Sequence, residues 1–342
     1  MILVTGGAGY IGSVLLRKLL EKGERVRVLD TLFFTEIGIK EIMDKVEIVQ
    51  KDIRDVDESV LDGVDSVIHL AGLSNDPTAE YNPVANEEMN TVATEKLAKL
   101  CKKVGVRRLV FASSASIYDL GFFAPDDIKT EDSPVEPRAA YAVSKFKAER
   151  VLLDLMDENF SPVILRQGTV FGFSPRMRYD LVVNTFVKDA LTKGRLRLNC
   201  GGEMWRPLVH VNDAANAFIL LSEADEKDVK GQIFNLCYRN FRISELALRV
   251  KTTLFEHFGI EVDIEADYSN FKTRSYRMSN EKLKKALGYV PETTVEDAVV
   301  DMVKKIEEYR YDDFLNPIYY NIKWMTMLDE MSKTIKKLGR IF

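Results

Sequence analysis

The chain has 342 residues, 46% of them hydrophobic and 30% charged, with 48 Lys plus Arg against 53 Asp plus Glu for a formal net charge of −5. That length predicts about two domains of roughly 150 residues, and the composition excludes a disordered chain. The mild acidity argues against a dedicated nucleic-acid binder, which carries a basic excess.

In chain order, short apolar runs at 2–5, 25–30, 46–50, 66–70, 108–112 and 163–166 predict strands. Helical patterns at 11–21, 83–104 and 139–159 lie between them. Strands that are apolar on both faces and alternate with helices predict an α/β fold, a Rossmann-type doubly wound parallel sheet. After residue 168 the rhythm changes. Helices are expected at 180–193, 212–223, 243–258, 279–287 and 294–309, with a strand at 232–236. We expect a dinucleotide-binding domain over 1–168, a smaller mixed α/β substrate lobe over 169–315 interleaved with the first, and a helical tail over 316–342. The tail's Met and aromatic residues are expected to dock on protein rather than on a membrane.

Three cysteines, Cys101, Cys200 and Cys237, stand far apart without a CxxC pair, which fits a reducing compartment. His69, His210 and His257 show no metal spacing, so no metal is expected. No apolar run approaches the roughly 18–20 residues of a membrane span, and the chain opens directly into a strand pattern, so neither a span nor a cleaved signal is expected. A cytoplasmic location follows as an expectation.

The segment 2–12 reads ILVTGGAGYIG, a strand that runs into Gly6, Gly7, Gly9 and Gly12 and then into a helix. Glycines at this spacing permit a tight turn and let backbone approach a pyrophosphate at a helix N-terminus. Asp30 ends the next strand, where a carboxylate accepts from both adenosine ribose hydroxyls and repels a 2′-phosphate. NAD is therefore expected over NADP. Asp52 and Ile53 follow the third strand, where the adenine would lie.

Around the fifth strand the chain reads FASSASIY from Phe111 to Tyr118, and YAVSK follows from Tyr141 to Lys145. Tyr and Lys four residues apart share a helix face. An ammonium beside a phenol favours the phenolate, so Lys145 is expected to lower the Tyr141 pKa and make it a usable base. Serines at the strand's end can orient a substrate hydroxyl or carbonyl.

With these motifs in place, the sequence resembles the extended short-chain dehydrogenase/reductase family, in its NAD-dependent nucleotide-sugar epimerase/dehydratase branch. The resemblance runs through TGGAGYIG (5–12), HLAG (69–72), Asn90, SSASIY (113–118), YAVSK (141–145), LRQGTVFG (165–172), WRPLVHVND (205–213) and RSYR (274–277). It implies Ser114, Tyr141 and Lys145 as catalytic residues. It implies a cofactor site of Gly6, Gly9, Tyr10, Ile11, Gly12, Asp30, Asp52, Ile53, Leu70, Ala71, Gly72 and Asn90 with Tyr141 and Lys145. For the substrate it implies Ser114, Ser116, Thr169, Asn184, Arg206 and Arg274, the two arginines on a diphosphate. A homodimer through the helices that carry Asn90 and Tyr141 is also implied.

The chain departs from the branch in places. Dehydratases follow the catalytic Ser/Thr with Asp-Glu, whereas Ala115 and Ser116 stand here, so 4,6-dehydration is not expected. Many 4-epimerases carry Asn where Thr169 stands. Asp76 can add a carboxylate at the active-site mouth or simply form a turn, and Arg176 and Arg178 can reach a substrate phosphate or face solvent. The expected activity is a nucleotide-sugar 4-epimerase working through a 4-keto sugar. A nucleotide-sugar dehydrogenase or keto-sugar reductase, and a non-catalytic NAD-binding protein, are the alternatives.

Overall fold

A computed structural model describes residues 1–119, 127–269 and 274–339. Seven parallel strands form its central sheet: β1 (Ile2–Thr5), β2 (Val26–Asp30), β3 (Glu47–Gln50), β4 (Ser66–His69), β5 (Arg108–Ser114), β6 (Ser161–Gln167) and β7 (Ile233–Leu236). Their order is β7-β6-β5-β4-β1-β2-β3. The strand order reverses beside β1, because β2 and β4 flank it on opposite sides. Ligands of open α/β sheets bind in the crevice at the carboxyl ends of such a pair.

Leu3, Val4, Val28, Val67, Val110 and Ile164 are wholly buried, as strands covered on both faces require. One face is covered by α1 (Tyr10–Glu21), whose Leu15, Leu16 and Leu19 point inward, packed beside α6 (Val211–Glu223). The other face carries α3 (Ala93–Val104) and α4 (Ala140–Asp154), through Leu97, Cys101, Ala148 and Leu152. β7 lies well beyond residue 168 yet completes this sheet, and Phe234 shares a core with Val4.

A second core joins α5 (Val182–Lys193), α7 (Ile243–Phe258) and α8 (Val295–Glu308) to short strands of the smaller lobe. Those strands, Thr169–Phe171, Trp205–His210, Arg239–Arg242 and the pair Arg195–Asn199 with Asp263–Asp267, are absent from the sequence reading.

Two predicted helices differ from expectation. The pattern at 83–104 is broken: Pro83–Glu87 is followed by a π-helical turn, Glu88–Val92, before α3 begins. Polar anchoring gives the reason. The Asn90 amide donates to Leu73 O, Asn86 Oδ1 and Ser144 Oγ, and Thr91 donates to Ser144 O, which pulls this turn toward α4. Such turns re-aim side chains at functional sites. The helix predicted at 139–159 stops at Asp154. Conversely, the stretch read as a loop around Asp76 is a helix, α2 (Asp76–Tyr81). Asn75 caps it by accepting from the Thr78 N–H at 3.1 Å, and Pro77 sits in its first turn, a start signal the sequence did carry.

The chain's last described helix is α9 (Asn321–Leu338), packed against α2. Among the described residues, no helix is long and apolar enough to cross a membrane. No cluster of three or more His, Cys, Asp or Glu side chains suited to a metal occurs there either.

Candidate active site

The glycine loop sits at the carboxyl end of β1. Gly6 has a φ of +71°, and a Cβ on it would lie 2.7 Å from Ala71 N. A Cβ on Gly12 would lie 2.4 Å from Gly6 O, and one on Gly7 would meet Val28. Gly9 caps α1, so the N–H groups of Tyr10, Ile11 and Gly12 in its first turn have no intrahelical acceptor. Asp30, at the end of β2, accepts from Ala8 N and Leu32 N at 2.9 Å each. Burial pushes its carboxyl up, against those two backbone bonds.

Leu70, Ala71 and Gly72 follow β4 on the other side of the crevice. Gly72 has a φ of +146°, and a Cβ there would lie 2.3 Å from Asn90 Oδ1 and 3.9 Å from Lys145 Nζ. Gly72, Asn90 and Lys145 therefore meet at one point. Asn90 Oδ1 is buried without a hydrogen-bond partner. Side-chain-free backbone on both sides of β1, unused helix N–H groups and this open acceptor fit a dinucleotide lying across the crevice.

Tyr141 and Lys145 lie on the inner face of α4, both buried, with the Ser114 hydroxyl within hydrogen-bonding reach of the phenol. Ser114 ends β5 and also accepts from Ser116 N at 3.2 Å. The electrostatics correct the expectation from the sequence. Burial pushes the Tyr141 phenol up to about 12, opposed by Ser114, with Asp76 also raising it and Arg274 and Arg178 lowering it. The Lys145 ammonium is pushed down to about 8 by burial, partly offset by Glu149. Removal from water is the largest influence on both groups.

Beneath this pair lies a buried network. Glu149 accepts from Ser113 Oγ at 2.5 Å and from Arg166 at 2.6–3.2 Å, and Arg166 Nη1 donates to Tyr118 OH at 2.8 Å. Ser113 is thus occupied beneath the pocket, while Ser114 faces Tyr141.

On the substrate side, Arg206 and Arg274 meet: Arg206 Nη1 donates to the Arg274 backbone carbonyl. Arg274 Nε lies 3.2 Å from Asp76 Oδ2, and Asp76 Oδ1 is buried without a partner. Ser116 Oγ is buried and without a partner as well. Thr169 opens the strand paired with 208–210.

Several predicted residues have their side chains committed elsewhere. Asn184, expected on the diphosphate, is wholly buried. Its amide donates to Tyr10 OH and Arg178 O at 3.1 and 2.9 Å, and its Oδ1 accepts from Gly172 N at 3.0 Å. The Tyr10 hydroxyl donates to Gly172 O at 2.6 Å, which leaves its backbone to the cofactor loop. Asp52 spends its carboxylate on Arg54, and the Ile53 side chain belongs to the core beneath the sheet.

Arg176 and Arg178 do not face solvent. Arg178 makes a two-point pair with Asp180, Nε–Oδ1 2.8 Å and Nη2–Oδ2 3.0 Å. The Arg176 guanidinium lies 3.6 Å from the Phe34 ring centroid, with its Nε buried and without a partner. The sequence reading missed Asp180 and Asn321 entirely. No local pattern marks either one.

Comparison with known proteins gives the family and the fold. The profile of the NAD dependent epimerase/dehydratase family matches residues 2–237. UDP-glucuronic acid decarboxylase 1 of Xenopus tropicalis is 32% identical over 229 residues, 66% of this chain and 54% of that protein. The chain thus spans about half the length of that relative. A putative UDP-glucose 4-epimerase of Methanocaldococcus jannaschii is 33% identical over 226 residues, 64% of this chain and 72% of that protein. Among solved structures, UDP-glucuronic acid 4-epimerase from Bacillus cereus, in complex with UDP-glucuronic acid and NAD, shares the fold. Its TM-score is 0.78 at 22% identity, over 90% of this chain and 99% of that one. The chain belongs to the NAD dependent epimerase/dehydratase family, among the extended short-chain dehydrogenases/reductases, and NAD is its cofactor.

Proposed function

We propose that the protein is a nucleotide-sugar 4-epimerase. The observation that carries this reading is the buried Tyr141 phenol beside Ser114, one helical turn from Lys145, where Ala115 and Ser116 supply no carboxyl acid for dehydration. Bound NAD supplies the two-electron acceptor and donor for the sugar carbon. Asp30 would hold its adenosine ribose, the glycine loop its pyrophosphate, and Asn90 and Lys145 its far end.

The positive charge of NAD and of Lys145 would favour the phenolate against the burial that raises it, so that Tyr141 would take the proton of the sugar hydroxyl as the 4-keto form appears and give it back when the carbon is reduced from its other face. One phenol thereby serves as base and then acid. Ser114 donates to the same oxygen and holds it against Tyr141. Arg206 and Arg274 hold the diphosphate, so the sugar can turn over in the pocket without leaving. No external reductant is consumed.

A second observation bears on the sugar. Arg178, a buried cation whose charge acts on Tyr141, is already paired at two points with Asp180. A guanidinium neutralised in this way has little attraction left for a carboxylate on the sugar. This favours an uncharged sugar over the uronic acid named for several relatives. A homodimer through the π turn and α3, the segment opened by Asn90, and through α4 belongs to the same proposal, and light scattering tests it.

The test is incubation of the purified protein, with no added cofactor, with UDP-, dTDP-, GDP- and CDP-sugars, followed by proton NMR. A new epimer at equilibrium is the expected result. Turnover only when free NAD or NADH is supplied would replace this reading with a dehydrogenase or keto-sugar reductase.

A further inference from the structure

The cofactor side and the sugar side of the crevice are joined by one residue from the far end of the chain. Asn321 opens α9 and is 5% exposed. Its Oδ1 accepts from Arg176 Nη2 at 2.7 Å, and its Nδ2 donates to Ser74 Oγ at 2.8 Å. Its backbone N–H donates to Asp180 Oδ2 at 3.3 Å.

Each of these partners leads to a different part of the site. Arg176 lies on Phe34, and Asp30 and Tyr10 are among the groups whose charge acts on it. A Cβ on Gly38, beside the glycine loop, would come within 2.6 Å of Ala8 O and 3.0 Å of Arg176 Cβ. Arg176 therefore borders the acid and the loop expected to hold the adenosine half of NAD. Ser74 follows the Leu70–Gly72 turn and also accepts from Arg178 Nη1 at 3.4 Å. Asp180 holds Arg178, whose charge acts on Tyr141.

Arg176 and Arg178 are two buried cations two residues apart, with one carboxylate, Asp180, paired to Arg178. The neutral Asn321 amide gives Arg176 an acceptor, and the backbone N–H of Asn321 donates to Asp180 Oδ2, which Asn75 Nδ2 also reaches at 3.4 Å.

Asn321 is held in place by its own helix. Trp324 Nε1 donates to Phe33 O at 2.6 Å, on the loop after β2, and Tyr81 OH on α2 donates to Asp329 Oδ2 at 2.7 Å. α9 thus bridges a loop after β2 and a helix after β4, the two strands that flank β1 and its glycine loop.

We propose that Asn321 is a positioning residue, carried in by α9 as a strap across the crevice, that slows the departure of NAD by fixing Arg176 beside the adenosine site. The inference rests on the cofactor and not on the proposed epimerisation. Its test therefore needs no turnover, and its failure is distinct from failure of the sugar panel.

The experiment loads the full-length chain with labelled NAD, chases with unlabelled NAD and follows release. Asn321→Ala is expected to release NAD at least ten times faster, with the melting temperature of the cofactor-free protein within a few degrees of the parent. Trp324→Phe keeps an aromatic ring, smaller than the indole, and removes the bond to Phe33 O, and is expected to release NAD several-fold faster. Leu338→Ser, at the exposed end of α9, is the control and is expected to match the parent. A folded Asn321→Ala protein with release within twofold of the parent would overturn the proposal. Where Asn321→Ala does not fold, parental release from Trp324→Phe overturns it instead. Equal acceleration in the Leu338→Ser control also overturns it, since the effect would then belong to general loosening of the helix.

Discussion

Asp30 Oδ2 accepts the Ala8 backbone N–H at 2.9 Å, so the acid at the end of β2 is built into the glycine loop it faces. The same carboxylate caps the turn after β2 through Leu32 N. Asp30 thereby shapes the loop and offers charge to a ribose. Replacing it by Ala removes charge-assisted bonding to the ribose, a net loss of about 1.5–3 kcal/mol. Asp30→Ala is expected to weaken NAD roughly ten- to hundredfold and to narrow the preference over NADP, as titration calorimetry with both dinucleotides would read.

Tyr141→Phe keeps the ring in its buried place and loses only the phenol. If Tyr141 is the acid and base, kcat falls by about 10²–10⁴, the usual worth of a positioned proton carrier. NAD content and melting temperature are expected to stay near parental values. Turnover unchanged in this variant would remove Tyr141 from the mechanism.

Glu149 and Arg166 form an ion pair whose side chains are 0% and 3% exposed. Glu149→Ala leaves the guanidinium buried without its carboxylate, a loss of about 3–5 kcal/mol in urea unfolding. Burial and the loss of Glu149 then act in one direction on Lys145, which falls further below its present value of about 8. A lower Lys145 pKa is read as a shift of the basic-side pH profile.

His69 is wholly buried, 2.6 Å from Thr5 Oγ1 and 2.9 Å from Thr94 Oγ1. Burial, with the Lys145 charge adding to it, pushes its pKa down to about 3, and burial pushes that of His210 down to about 4. Both rings protonate near 6.5 once unfolded, so below that pH the unfolded chain binds more protons than the native one. Their contribution is complete above about pH 6.5 and is lost as pH falls toward the folded values, about 1.4 kcal/mol per unit for each ring. Urea unfolding between pH 7.5 and 5 is expected to show this decline, with a shallower slope in His210→Gln.

The parts of the site that were legible in the sequence are those made by neighbours along the chain. The strand-glycine-helix turn and the Tyr141–Lys145 spacing follow from backbone geometry within a few residues. The Asn75 cap and Pro77 were equally local, yet a motif rich in turn formers masked a short helix. The π turn at 88–92 was not legible, because the bonds that pull it come from Leu73 and Ser144. Asn184 was placed by position along the chain, and only the fold shows that its side chain bonds Tyr10, Gly172 and Arg178.

The sequence by itself determined the sheet class, the glycine loop and the shared helix face of Tyr141 and Lys145, since each is a short-range pattern with one geometric outcome. Only the tertiary structure decided the charge state around Tyr141, because desolvation depends on everything packed around the phenol. It alone also brought Asn321 to Ser74 and Arg176, residues 247 and 145 positions away, and so placed the C-terminal helix across the crevice.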